Sequence, residues 1–261
     1  MKVVLFCGGE GMRLRESAET VPKPMAPIGY RPILWHVMKY YAHYGHKDFI
    51  LCLGYRGDII KNYFRNYDET LTNNFVIRAG QEVKLLGSDT HDWQITMLET
   101  GARATIGQRL LAARPYIEPD EMFLANYSDG LTNAPLDEMI RTLESSDDVA
   151  CFLAVRPNLS YHFVRLDETS HVCDIQNVSE SDMRINGGFF VFRRQIFDYI
   201  HPGEDLVPGP FKRMLAAGKL RSYAHEGFWA SMDTFKDRQV LWELYDRGDA
   251  PWQVWRNGSK A

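Results

Sequence analysis

The succession of apolar runs, turns and helical stretches predicts an α/β fold built on a parallel sheet, and three observations carry that prediction. First, Lys2 to Cys7 is a continuous apolar run that ends in Gly8-Gly9-Glu10-Gly11, as a strand buried on both faces does when it delivers a flexible turn. Second, Ile33 to Tyr44 has helical spacing, is closed by Gly45, and leads into another apolar run, Phe49 to Tyr55. Third, the alternation continues with a helix over Ile59 to Tyr67, and strands joined through helices cross over in the right-handed sense.

Residues 68 to 98 interrupt this rhythm. Asn73-Asn74, Gly80, Gly87 and Asp89 separate short alternating segments, Phe75-Val76-Ile77 and Trp93 to Leu98, which predict a small β excursion with hairpin-like strands. A helix is expected over Gly107 to Ala113, then a strand from Met122 to Tyr127 that ends in Ser128-Asp129-Gly130. Leu136 to Leu143 reads as a helix and Val149 to Val155 as a strand; 162 to 192 holds several strands, ending in Asn186-Gly187-Gly188-Phe189-Phe190-Val191-Phe192. Phe235 to Tyr245 is an amphipathic helix, and Pro251 to Trp255 is expected to pack back onto the body. We expect a single domain over 1–261, with 68–98 as the excursion and 234–261 as a C-terminal helix and tail.

With 261 residues, 45% of them hydrophobic, the chain can bury one substantial core. A net charge of −4 offers no basic field for a nucleic-acid backbone. The scattered Cys7, Cys52, Cys151 and Cys173 form no Cys-x-x-Cys pair and read as buried thiols. The first apolar run is too short for a signal peptide, and none approaches the roughly 18 to 20 residues of a membrane span, so a cytoplasmic protein is expected.

The first chemical constellation is Gly8-Gly9-Glu10-Gly11-Met12-Arg13-Leu14, with Lys23-Pro24 ten residues beyond the arginine. Glycines without a Cβ let backbone N–H groups approach phosphate oxygens, and the turn lies beyond a strand's carboxyl end, where α/β sheets place their ligands. Arg13 has the fork to grip a triphosphate, and Lys23 the compact charge for an α-phosphate whose charge grows in the transition state. The third glycine of a dinucleotide fingerprint and the Gly-Lys-Ser/Thr of a Walker loop are both missing. The second constellation pairs Asp129 with Asp233. Two carboxylates on separate loops suffice for a Mg²⁺ that arrives with a nucleoside triphosphate. The competing reading is structural: Asp129 caps a turn, and Asp233 caps the helix starting near Phe235.

Together with Lys23-Pro24-Met25, Pro32 to His36, Gly54-Tyr55, Thr100-Gly101, Arg109-Leu110, Asp129-Gly130, Ile185 to Val191, Gly227-Phe228-Trp229 and Met232-Asp233-Thr234, the chain resembles the sugar-phosphate nucleotidyltransferases, and most closely the glucose-1-phosphate cytidylyltransferase branch. The resemblance spans nearly the whole chain. It implies a Rossmann-like mixed, mainly parallel sheet flanked by helices, CTP as donor, and Mg²⁺ at Asp129 and Asp233. On the nucleotide side it implies Gly8, Gly9, Gly11, Met12, Arg13, Lys23, Arg109 and Ser128, with Arg109 at the position of a cytosine-contacting arginine; helical spacing alone would leave Arg109 exposed on a helix. On the acceptor side it implies Asn186, Gly187 and Trp229. Arg13, Lys23 and Asp129 are the catalytic set. A homo-oligomer is expected, and Tyr40, Tyr41 and Tyr44 read as packing.

The acceptor half departs from the family pattern. Its Phe-Gly aligns with Phe163-Val164, and its Glu-Lys, which meets sugar hydroxyls and the sugar phosphate, aligns with Asn177-Val178. Arg156, Tyr161, His162, Arg165 and Arg184 are candidates for a replacement anion site. Glucose 1-phosphate is therefore the default acceptor, with a phosphorylated polyol, an amino acid derivative or a phosphonate as alternatives. A non-catalytic nucleotide sensor is a third reading. A glycosyltransferase is disfavoured, because Ser128-Asp129-Gly130 is not an Asp-x-Asp motif. His36 and His43 are expected to pack or face solvent.

Overall fold

The computed structural model describes residues 1–9, 21–78, 83–118, 120–157, 162–178 and 181–256. Seven strands form its central sheet: β1 (Lys2–Cys7), β2 (Asp48–Leu53), β3 (Gln94–Glu99), β4 (Met122–Asn126), β6 (Ala150–Val155), β9 (Ile185–Arg193) and β10 (Leu220–His225). Across the sheet the order is β10-β6-β9-β4-β1-β2-β3. Every neighbouring pair is parallel except those made by β9, which runs antiparallel to both β4 and β6. The mixed, mainly parallel sheet agrees with the expectation from the sequence.

Alternation within β1 shows why its apolar run is continuous. Val3, Leu5 and Cys7 face one core, with α1 (Ile33–His43), α4 (Leu136–Glu144) and the C-terminal helix α5 (Phe235–Asp246). Val4 and Phe6 face the other, with α3 (Ile106–Ile117) and the segment around Phe197 and Phe211. Both faces are covered from Val3 to Cys7, which is why that run is apolar throughout. Helix α2 (Gly57–Arg65) completes the crossover from β2 to β3. Among the described residues no helix is long and apolar enough to cross a membrane.

The tail packs as expected: Trp252 is buried, and its Nε1 donates to His36 Nδ1 at 3.3 Å on the largely buried helix α1. His36 is therefore a packing residue, and burial holds its imidazole down at about 4. Tyr40 and Tyr41 are likewise buried.

Two expectations need correction. The run Trp93 to Leu98 belongs to no hairpin; as β3 it pairs in parallel with β2 at the sheet edge. Ile95 and Met97 pack on one core and Leu98 on the other, each only partly covered, and that half-burial produces the alternating pattern of a hairpin. The excursion's own strand pair is Phe75–Val76 with Lys84–Leu85. Cys7, Cys52 and Cys151 are buried thiols, but Cys173 is exposed on β8 (Val172–Asn177), which forms a separate two-stranded sheet with β7 (His162–Leu166).

Candidate active site

Strand order reverses direction at β1, and the carboxyl ends of the parallel neighbours β1 and β4 lie side by side there, where α/β sheets place their ligands. The β1 exit is shaped by Arg109. This helix residue, 2% exposed, donates from Nη1 to Leu53 O (3.1 Å) and Thr100 Oγ1 (2.6 Å), and from Nη2 to Gly8 O (2.6 Å) and Gly101 O (3.1 Å). Its guanidinium lies against Gly8 so closely that an added Cβ there would come within 2.0 Å of it. Gly8 is thus required by packing, and Arg109 is not the exposed helix residue that spacing alone suggested. Gly9 is exposed at the mouth of the turn. Gly11, Met12 and Arg13 lie outside the described residues.

At the β4 exit the backbone is forced. Ser128 adopts a left-handed conformation with φ 63°, a cost of about 1 kcal/mol for a non-glycine residue. Two hydrogen bonds hold it there: its N–H donates to Asn126 Oδ1 at 2.6 Å and its hydroxyl to Phe6 O at 2.7 Å. The buried Ser128 hydroxyl therefore ties β4 to β1, and Asp129 directly follows the strained residue.

Asp233 reaches the same point through a pairing that the sequence did not reveal. β5 (Gly130–Thr132) and β11 (Trp229–Ser231) form a short antiparallel ladder, with Ser231 opposite Gly130, and Met232 N–H donates to Asp129 O at 2.9 Å. Extending that register sets the residues flanking Met232 beside those flanking Asp129. Thr234, not Asp233, caps α5: its hydroxyl accepts from Asp237 N–H, while Asp237 accepts back from Thr234 N–H. The structural alternative for Asp233 thus fails, and its carboxylate is turned elsewhere.

Lys23 meets both carboxylates. It opens the short helical turn Lys23–Met25, and its Nζ lies 2.6 Å from Asp129 Oδ2 and 2.8 Å from Asp233 Oδ1, with side-chain exposures of 16%, 26% and 43% in that order. Burial opposes the Lys23 charge, but the two carboxylates outweigh it and raise the pKa, so the ammonium is held firmly. Burial pushes the Asp129 carboxyl up; Lys23 pulls it down and Asp233 adds to the rise. One ammonium between two carboxylates leaves a net negative charge. Ser231 Oγ supports Asp233 Oδ2 at 2.8 Å, a contact hidden in an unremarkable Ala-Ser-Met stretch.

Among the described residues no three His, Cys, Asp or Glu side chains gather to cage a metal ion. Two under-compensated carboxylates fit instead a hard divalent cation that brings phosphate oxygens as its remaining ligands. A cavity of 1210 Å³ between α1, residues 70–75 and the tail holds none of these residues.

Of the residues expected to meet the acceptor, Trp229 Nε1 donates to Gly187 O at 2.8 Å and Asn186 Oδ1 accepts from Gly188 N–H at 2.9 Å, so Asn186, Gly187 and Trp229 lie together at the start of β9. Of the candidate anion ligands, Arg156 and Arg184 converge on Glu226, while Arg165 pairs with Asp174 out on the hairpin and His162 is exposed. Tyr161 lies outside the described residues.

A doubly covered sheet with a glycine turn, a lysine and two aspartates at its switch point defines an enzyme of phosphate chemistry that handles nucleotides. More particularly, the chain belongs to the nucleotidyl transferase family, whose sequence profile matches residues 2–237. A probable glucose-1-phosphate cytidylyltransferase of Bacillus subtilis is 37% identical over 257 residues, spanning 98% of this chain and 100% of that protein. The glucose-1-phosphate cytidylyltransferase of Salmonella typhi is 35% identical over 258 residues, with 98% and 100% covered. Among solved structures, HddC from Yersinia pseudotuberculosis superposes with TM-score 0.63 at 20% identity, covering 94% of this chain and 99% of that one. A putative glucose-1-phosphate thymidylyltransferase from Bacillus anthracis gives 0.64 at 15%, with 94% of each chain covered. At such identities these structures speak for the fold alone.

Proposed function

We propose that the protein transfers a cytidylyl group from CTP to a phosphorylated small molecule, releasing pyrophosphate, with Mg²⁺ as cofactor and glucose 1-phosphate as the default acceptor. The observation that carries this reading is the Lys23 ammonium held between Asp129 and Asp233 at the switch point of the sheet. CTP and glucose 1-phosphate enter through the relatives that cover the full chain.

An oxygen of the acceptor phosphate attacks the α-phosphorus in line and forms the new P–O bond. The bond from that phosphorus to the bridging oxygen breaks, and the electron pair leaves with pyrophosphate. A phosphate monoester is largely ionised near neutral pH, its second pKa being about 6, so no general base is required. Positioning and charge stabilisation remain for the protein to supply. Lys23 exchanges its carboxylates for an α-phosphate oxygen, Arg13 grips the triphosphate, and Gly8, Gly9, Gly11 and Met12 line it with backbone. Asp129 and Asp233 hold the Mg²⁺, which when bound neutralises phosphate charge. Arg109 and Ser128 fix the two exits that shape the nucleotide side, and Asn186, Gly187 and Trp229 receive the acceptor. These reactants are cytoplasmic, and there we place the reaction. Leu71, Phe75, Ile77 and Leu86 expose apolar surface on the excursion, consistent with a homo-oligomer that light scattering would detect.

The test is CTP- and Mg²⁺-dependent pyrophosphate release with glucose 1-phosphate, absent in Asp129→Ala; release that persists in that variant would overturn the assignment. A second reading, the same transfer to a different acceptor, is favoured by the exposed Val164 and by Asn177-Val178, which offer no lysine to an acceptor phosphate. A panel of phosphorylated metabolites separates the two.

A further inference from the structure

Three strands finish side by side at the acceptor end of the sheet. β6 ends at Val155, which pairs with Ile185 of β9 on one side and His225 of β10 on the other. The next residue outward on each strand is charged: Arg156, Arg184 and Glu226. Register sets the three in one row, and their side chains meet. Glu226 Oε2 accepts from Arg156 Nε at 3.0 Å, and Arg184 grips its other oxygen. Arg156 Nη1 also donates to Ser181 O at 2.9 Å, in the stretch that follows Asn177-Val178. Two guanidiniums set by adjacent strand ends thus converge on one carboxylate, and that carboxylate, 60% exposed, marks where an anion sits between them. Their strands lie one and two steps of about 4.8 Å from β4, which leads to Asp129. Arg184 lies two residues from Asn186, just outside the start of β9.

We propose that Arg156 and Arg184 form a subsite for a second anionic group on the acceptor, distal to its reacting phosphate, and that Glu226 is the resident counter-ion which this group displaces. The inference rests on the nucleotidyl-transfer reading above. It names the substrate class as a phosphate monoester that also carries a carboxylate or a second phosphate. Guanidinium forks suit either anion. Exposed ion pairs are weak, so Glu226 can swing into water when a better-placed anion arrives.

The experiment compares glucose 1-phosphate, glucuronic acid 1-phosphate and glucose 1,6-bisphosphate as acceptors at saturating CTP, in the unmodified enzyme, R156A, R184A and E226Q. At least one doubly anionic acceptor is expected to have a KM about tenfold below that of glucose 1-phosphate, an advantage that R156A and R184A erase. The KM for CTP stays unchanged, turnover of glucose 1-phosphate controls for folding, and the better of the two anionic acceptors identifies the group. E226Q keeps the size but removes the competing charge, so it should lower the KM of the anionic acceptor further. Equal KM values for all three acceptors, or variants that shift every acceptor alike, overturn the subsite. Absence of pyrophosphate release with every acceptor strikes instead at the nucleotidyl-transfer reading. In that event calorimetry with inorganic phosphate still decides: affinity lower in R156A and higher in E226Q supports the subsite, and equal affinities overturn it.

Discussion

Replacing Arg109 by alanine separates two roles for this residue, a direct contact with the base and a clamp on the strand exits. In the structure its guanidinium donates to Gly8 O, Leu53 O, Gly101 O and Thr100 Oγ1 while 2% exposed. A hydrogen bond to a charged donor contributes about 1.5–3 kcal/mol net, so four at the low end amount to about 6 kcal/mol. Water entering the vacated space restores part of this, leaving an expected loss of about 3–5 kcal/mol. For a chain of this length 1 kcal/mol moves the thermal midpoint by roughly 2–4 °C, so Arg109→Ala should melt roughly 10 °C lower. The assay is thermal unfolding alongside CTP kinetics. The clamp predicts the stability loss together with a raised KM for every triphosphate tested, because the Gly8 turn that all would share loses its shape. A variant that melts with the unmodified protein and loses only its preference for CTP would refute the clamp.

Lys23→Ala should lower kcat about 10²- to 10³-fold, the usual effect of losing one donor to a developing oxyanion, while circular dichroism shows the fold kept; unchanged turnover would remove Lys23 from the chemistry. Asp233→Asn should raise the Mg²⁺ concentration needed for half-maximal activity, and an unshifted activation curve would show that Asp233 is no ligand. His36 predicts an acid-side loss of stability. Burial lowers its pKa from 6.5 to about 4, so the folded imidazole stays neutral while the unfolded one takes up a proton. That contribution is fully present above pH 6.5 and is lost as pH falls towards 4, by about 3 kcal/mol in all. Urea midpoints measured across that window should fall less steeply in His36→Gln; parallel slopes in the two proteins would point to another group, such as the half-buried His46.

The parts of this protein that were legible in its sequence share a physical property: burial on both faces or a fixed local conformation. Continuous apolar runs announced β1, β2, β4 and β6, and Gly8 and Lys23-Pro24 announced the phosphate side. What the sequence hid depends on long-range pairing. β10 (Leu-Arg-Ser-Tyr-Ala-His) is an edge strand with half its residues exposed, so its pattern lacks an apolar run. The three-residue ladder of β11 on β5 brings Asp233 to Asp129 across a hundred residues and has no local signature at all. Arg109 looked like a solvated helix residue because nothing in its own helix shows that four acceptors from other segments surround it.

The same contrast bears on which half of the site is free to change chemistry. The nucleotide half is built from groups whose replacement disturbs the core: Gly8 against Arg109, Ser128 strained between β1 and β4, and Asp129 directly after them. The proposed acceptor half includes the two-stranded β7–β8 sheet, where Val164, Leu166, Val172 and Ile175 are all exposed. Substitutions at such positions usually change stability by less than about 0.5 kcal/mol. On the proposed assignment, residues facing the acceptor, such as Asn177-Val178, can be exchanged with little effect on folding or on the nucleotide half. Combining Val164→Gly with Val178→Lys should accordingly leave the melting temperature and the KM for CTP nearly unchanged while lowering the KM for glucose 1-phosphate. A large fall in stability, or a parallel change in both KM values, would show that the two halves are mechanically coupled and that the acceptor end is not independent of the fold.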